Sequence, residues 1–269
     1  MYYPVAFEKD LLDRPRAVSL HQKEYVVWKS KKGVMALPNR CSHRGARLSD
    51  GRMLVGSKLE CPYHGWQFHA NGTCLKIPQM NPSAKIPKAC DLNRIYTHVQ
   101  DGIVWLSATN GLFQTKKTNY LHDSDCFVSD YYLEAPYSSY LQLENLLDPA
   151  HLHFTHHGFQ GNRSKASEIK LTRWFDNDYE LYGYFEHTNP ETPDIEISFI
   201  KPSMIEVSIY EKNKKILLRK NIIYVSAIHE KACHVLFRDV SFKKTLLPST
   251  GGFLEFHGKL LMDRPWVQD

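Results

Sequence analysis

The chain has 269 residues, 42% of them hydrophobic and 12% aromatic, which is enough length and apolar content for two folded domains and excludes a disordered chain. The formal net charge of +5 is spread out; the densest basic stretch, Lys212, Lys214, Lys215, Arg219 and Lys220, reads as an exposed strand face and argues against nucleic-acid binding. The N-terminus, Met1 to Glu8, lacks a basic region followed by an apolar one, and no apolar run is long enough to span a bilayer. The expectation is a cytoplasmic protein with no transmembrane segment.

From Val5 to about Leu106 the sequence reads as short strands broken by turn signals, with strands at 24–29, 33–38, 58–61, 66–70 and 102–106. No amphipathic helix interrupts them, so residues 1–110 are predicted to form a small all-β domain, with the Pro-rich run 77–87 as a loop packed across it. Residues 108–119 read as a linker. A second domain, 120–269, opens with a strand at 126–134 and a helix at about 138–150. Strands follow at 171–175, 179–187, 195–200, 204–210, 216–225 and 232–240, alternating clearly in Met204-Ile205-Glu206-Val207-Ser208-Ile209. The fold class is α+β, with the helix packed on a curved antiparallel sheet.

The first domain carries Cys41-Ser42-His43-Arg44-Gly45-Ala46 and then Cys61-Pro62-Tyr63-His64-Gly65-Trp66, with seventeen residues between His43 and Cys61. Six cysteines without regular spacing do not make a disulfide framework, so metal binding is the better use for some of them. Two Cys–His pairs suit a cluster in which two thiolates hold one iron and two imidazoles the other. A zinc site is the alternative, since two cysteines and two histidines are also a zinc set. Zinc fingers, however, pair like with like, whereas each half here contributes one of each. Cys74, Cys90, Cys126 and Cys233 then read as buried apolar thiols.

On the predicted helix, Leu143, Leu146, Leu147 and Ala150 share one face, and Glu144, Asn145, Asp148 and His151 the other. The polar face is either a solvated surface or the wall of a metal site. Asp148-x-x-His151-x4-His156 suits the two-histidine, one-carboxylate ligand set of a non-heme Fe(II) site, a weak pattern alone and a strong one downstream of an iron–sulfur motif. Pro149 cannot donate to the carbonyl of Asn145, so the helix either kinks there or restarts with Asp148 as N-cap. His153, on another face, and His157 are not counted as ligands.

The first constellation resembles the Rieske [2Fe–2S] domain, and Cys-Pro-Tyr-His-Gly-Trp resembles its oxygenase branch. The additional loop cysteines of the respiratory and photosynthetic branch are missing. With the second constellation the chain resembles the α subunit of Rieske non-heme iron oxygenases. Residues 76–79, 87–90, 102–105 and 145–158 bring it closest to the pheophorbide a oxygenase-like (cell-death-suppressor) branch. The resemblance implies a helix-grip-type catalytic domain, a cluster held by Cys41, His43, Cys61 and His64, and a mononuclear Fe(II) held by His151 and His156. It makes Asp148 a bridge for electrons between neighbouring subunits, and it matches Asn145 to an asparagine near the iron, whose alternative reading is a plain polar helix residue. The third ligand is expected at Asp269, with Asp263 as second choice. Because the family continues past this point, the chain is expected to be C-terminally short.

The resemblance further implies a ferredoxin or flavin-dependent reductase as electron donor, O2 and a bulky organic substrate, and a homotrimer. A tetrapyrrole such as pheophorbide a is the first substrate expected, with peripheral membrane association in that case; a steroid or an aromatic ether undergoing demethylation is the alternative. Trp174, Phe175, Tyr182, Tyr184 and Phe185 supply candidates for an aromatic pocket. The rival from another class is a Rieske electron-transfer protein with an inactive second domain.

Overall fold

The computed structural model describes residues 1–118, 126–158, 161–212 and 216–242. The described chain is mostly β with few helices, and it divides into two compact units. Asp263 and Asp269, the candidate third ligands, lie outside the described residues, as do Lys214 and Lys215.

The first unit comprises Met1–Lys117, with Pro136–Ser139 and Ser226–His234. Its strands are β1 (Tyr3–Phe7), β2 (Arg16–Leu20), β3 (Lys23–Ser30), β4 (Gly33–Pro38), β5 (Arg52–Leu54), β6 (Lys58–Glu60), β7 (Gln67–His69), β8 (Cys74–Lys76), β9 (Tyr96–Gln100) and β10 (Ile103–Ser107). They form three sheets, ordered β1-β10-β9, β2-β3-β4 and β5-β6-β7-β8. β3 shows how the sheets share a core. Successive side chains of a strand point to opposite faces, and here both faces are apolar. Tyr25 and Val27 enter a cluster with Val5, Val18, Val104 and Leu106. Val26 and Trp28 enter a second cluster with Leu37, Leu48, Leu59 and Phe68. Cys41, Cys61 and Trp66 belong to that second cluster, so the iron–sulfur motif is rooted in the core.

The second unit comprises Thr118–Ala135, Tyr140–Val225 and Val235–Asp269. Its antiparallel sheet has seven strands in the order β11-β17-β16-β15-β14-β13-β12. They are β11 (Cys126–Ala135), β12 (Ile169–Asp176), β13 (Glu180–His187), β14 (Asp194–Ile200), β15 (Met204–Tyr210), β16 (Leu217–His229) and β17 (Ala232–Phe242). Residues directly opposite one another share a face. Gly183, Ile197, Val207 and Asn221 line up across one face and Tyr182, Ser198, Glu206 and Ile222 across the other. The second row is polar yet enclosed: Glu206 and Lys220 form a buried ion pair at 3.2 Å. Buried charges persist only when paired.

Several sequence expectations change here. The basic stretch is not an exposed face, because Lys212 pairs with Asp194, Arg219 with Asp239 and Lys220 with Glu206. Trp174 and Phe175 are exposed on edge strand β12, while Tyr182 and Tyr184 are half-buried. Cys74 and Cys233 are buried, as expected, but Cys90 and Cys126 are only partly so. Among the described residues no helix is long and apolar enough to cross a membrane.

The predicted helix at 138–150 is shorter. Helix α1 (Ser139–Leu147) stops before Asp148-Pro149, and α2 (Leu152–Thr155) begins after four intervening residues. Proline removes a donor and its ring clashes with the preceding turn. Asp148 does not cap α2; its carboxylate accepts the Ala150 N–H at 2.8 Å, closing a local turn, and His151 precedes α2. The expected apolar face is only half-buried at Leu143, Leu146 and Leu147, Ala150 is exposed, and Gln142 is the buried residue of α1.

Candidate metal centres

The two loops of the first motif are built alike. In one, the Cys41 N–H donates to the carbonyl of Ala46 at 2.9 Å and the Gly45 N–H to that of Cys41 at 2.9 Å. In the other, Cys61 donates to Trp66 at 2.8 Å and Gly65 to Cys61 at 3.2 Å. Each loop turns through a glycine in the left-handed region, Gly45 at φ 70° and Gly65 at φ 69°, where a side chain would be strained. These turns sink both cysteines into the core and leave the histidines at the rim, His43 exposed and His64 half-exposed.

The four side chains sort by type. The Cys41 thiol is pushed up to about 11, first by burial and further by a bond to Cys61, so the sulfurs are neighbours. Two adjacent buried thiols do not ionise together without a cation between them; a metal supplies it. The His43 and His64 rings stand 4.6 Å apart between centroids. Two imidazoles bound to one metal ion at about 2.1 Å, roughly at right angles, have centroids about 4.6 Å apart. Local desolvation, His64 and Arg44 all lower the proton affinity of His43, favouring the neutral, ligating form. The donor set thus fits a cluster with thiolates on one iron and imidazoles on the other.

The surroundings complete the rim. Trp66 stacks on His43 at 4.7 Å and 2°. Gln79 donates to the His64 carbonyl at 3.0 Å, and Ser42 to the Cys90 carbonyl at 2.7 Å, tying the segment 79–90 to the two histidine-bearing loops. A concavity of about 300 Å³ is lined by His43, His64, Trp66, Ile77, Gln79 and Met80. The stacking role of Trp66 and the role of Gln79 were not read from the sequence, although Trp66 stood inside the motif.

In the second unit, His151 and His156 flank α2 with ring centroids 5.1 Å apart, again a spacing for two ligands of one ion. The His151 Nδ1 lies 2.5 Å from the Asp148 carbonyl oxygen, which can only accept, so Nδ1 carries the proton and Nε2 keeps a lone pair. The Asp148 carboxylate is 3.8 Å from the same nitrogen and half-exposed, and Asn145 is exposed. Among the described residues no three His, Cys, Asp or Glu side chains converge on a metal position.

Three consecutive backbone donors secure this turn. Gly161 donates to the His156 carbonyl at 3.0 Å, Asn162 to His153 Nδ1 at 3.2 Å and Arg163 to His157 Nδ1 at 3.2 Å. His153, unassigned from the sequence, is the buried residue of α2. A hydrophobic pattern does not reveal it, because histidine is not counted apolar.

Comparison with known proteins bears on the domain that carries the first motif. Residues 1–92 match the Rieske [2Fe–2S] domain family. TIC 55 of Arabidopsis thaliana chloroplasts is 36% identical over 162 residues, 58% of this chain and 30% of the relative. Chloroplastic pheophorbide a oxygenase of Oryza sativa subsp. japonica is 30% identical over 217 residues, 75% of this chain and 40% of the relative. The solved structure of Pseudomonas putida NdmA with caffeine superposes with a TM-score of 0.82 at 19% identity, covering 97% of this chain and 78% of that one. The chain therefore carries a Rieske [2Fe–2S] domain and is a homologue of the Rieske-type oxygenases. It spans less than half the length of those two curated relatives.

Proposed function

We propose that the chain is the oxygenating subunit of a Rieske non-heme iron oxygenase, with residues 1–110 as electron module and 120–269 as oxygenating module. The observation that carries this reading is the second imidazole pair, His151 and His156, with His151 held in the tautomer that presents Nε2 to a metal. A Rieske domain alone carries electrons; two further imidazoles on one turn supply the beginnings of a second iron site. Cys41, His43, Cys61 and His64 would hold the cluster, His151 and His156 the Fe(II), and Asp269 or Asp263 the remaining position. Bound Fe(II) supplies O2 activation. The chain's own residues hold the ligands in their binding tautomers and set the surroundings. In this reading Asp148, whose carboxylate is exposed, would accept a hydrogen bond from a cluster histidine of a neighbouring subunit, and the assembly would be a trimer.

The electron donor in this reading is a ferredoxin or flavin-dependent reductase. The substrate is a bulky organic molecule, first a tetrapyrrole such as pheophorbide a, as the name of the rice relative suggests. A methylxanthine-like substrate or an aromatic ether is second, in line with the caffeine-bound structural neighbour. Cytoplasmic residence competes with residence in the chloroplast, which the names of the plant relatives suggest, peripheral to a membrane if the substrate is a tetrapyrrole. Iron analysis tests the reading: three irons per chain are expected, and two would reduce the protein to an electron carrier. His156→Ala should drop the count to two and abolish substrate turnover while leaving the cluster spectrum unchanged.

A further inference from the structure

We propose that the rings of His153 and His187 form a buried clamp that holds the turn bearing His151 and His156 at the spacing a metal ion requires. The proposal rests on the reading of that turn as the mononuclear iron site. α2 has four residues, far too few to persist in water on its own. Something must hold it, and its buried side chain is His153. That ring meets His187 of β13 edge to face, with centroids 5.7 Å apart and planes at 90°. On its other side it accepts the Asn162 N–H. His151 comes immediately before α2 and His156 immediately after, so a displacement of α2 moves both ligand rings.

His187 is 3% exposed, and among the described residues neither of its ring nitrogens has a hydrogen-bond partner. What it offers the turn is therefore its ring surface rather than a hydrogen bond. Gly161 also lies hard against α2. A Cβ there would lie 2.1 Å from the Leu152 carbonyl oxygen and 2.6 Å from the His153 Cα, an approach that glycine alone permits. The ligand turn is held between the backbone at 161–163 and the sheet, and His153–His187 is the sheet-side contact.

The test uses the full cluster-loaded chain stripped of mononuclear metal by a chelator, titrated with Fe(II) under anaerobic dialysis. The EPR signal after nitric oxide addition reports the ligand geometry. His187→Ala should weaken Fe(II) binding about tenfold to a hundredfold, the range seen when groups that orient metal ligands are lost. The visible spectrum of the cluster should not change. His187→Phe, which keeps a ring in the same place, should restore binding to within about threefold of native, well inside that range. His153→Leu, which leaves the helix buried without the ring, should show the same loss as His187→Ala and decides the matter if that variant does not fold. The clamp is overturned if His187→Ala or His153→Leu binds Fe(II) like the native chain, or if His187→Phe is as weak as His187→Ala. A native chain that binds no better than His156→Ala is a different failure: it removes the iron site, and the clamp with it.

Discussion

Four histidines stand within seven positions, and hydrogen bonding separates them. His151 donates from Nδ1 to a carbonyl, whereas His153 and His157 accept backbone N–H groups at Nδ1. The first arrangement frees Nε2 for a metal, and the other two put the ring proton on Nε2. His187 adds a titration that can be measured. Burial, then His153 and Lys212, lower its proton affinity, with Asp194 opposing. The fold keeps this ring neutral, while the unfolded chain protonates it below the ordinary value of 6.5. The unfolded state then binds more protons, so the contribution is present above that pH and is lost as the pH falls through it. Melting curves from about pH 8 to pH 5 should show His187→Phe gaining on the native protein toward acid, by a few degrees. A difference between the two that does not vary with pH would contradict this.

At the level of elements, the ligand turn depends on a helix break and a close backbone crossing. Gly161→Ala forces a methyl group against the Leu152 carbonyl. The cost should be about 1–3 kcal/mol, as for other overpacked sites. It should fall on the second unit: mononuclear iron should be lost from purified protein while the 2Fe cluster spectrum is retained. Metal analysis and absorption spectra of one preparation check both halves. The break itself was legible, since Pro149 forbids a continuous helix, but its exact form was not. The choice between kink and restart is made by the Asp148 side chain bonding to Ala150, an interaction that competes locally with capping. The cluster loops were legible because ligand type and spacing are a local code. The long strands of the second sheet were legible because alternation is also local. β1, β2, β5, β8 and β9 were not; three-residue strands, β5 to β8, are too short for a period to show, and only neighbouring turn signals marked β6 and β7. His187 was invisible for another reason. Its role comes from a partner 34 positions away in sequence, which only the folded sheet brings near.

On the scale of the whole molecule, charge is segregated. The three segments around the cluster, 40–47, 61–66 and 76–90, contain Arg40, Arg44, Arg47, Lys76, Lys85 and Lys88 and no acidic residue. That is six of the 34 Lys and Arg and none of the 29 Asp and Glu, so the rest of the chain, 28 against 29, is nearly neutral. Arg47 is paired with Glu24, but Arg44, Lys85 and Lys88 are exposed on the segments whose His43, Ile77, Gln79 and Met80 line the concavity with His64. Such a collar favours a donor with an acidic rim, as the proposed ferredoxin would have, and acts mainly on the rate of encounter. Because exposed charges are screened, cluster reduction by an acidic ferredoxin should slow as ionic strength rises. Lys85→Glu combined with Lys88→Glu should cut that rate by about tenfold at low salt, within the range that electrostatic steering spans. Reduction by an uncharged small molecule, and the cluster potential, should stay close to native in the same variant. Stopped-flow bleaching of the cluster absorbance measures both rates. A native rate independent of salt, or a double variant reduced as fast as native, would show that the collar serves some contact other than donor docking.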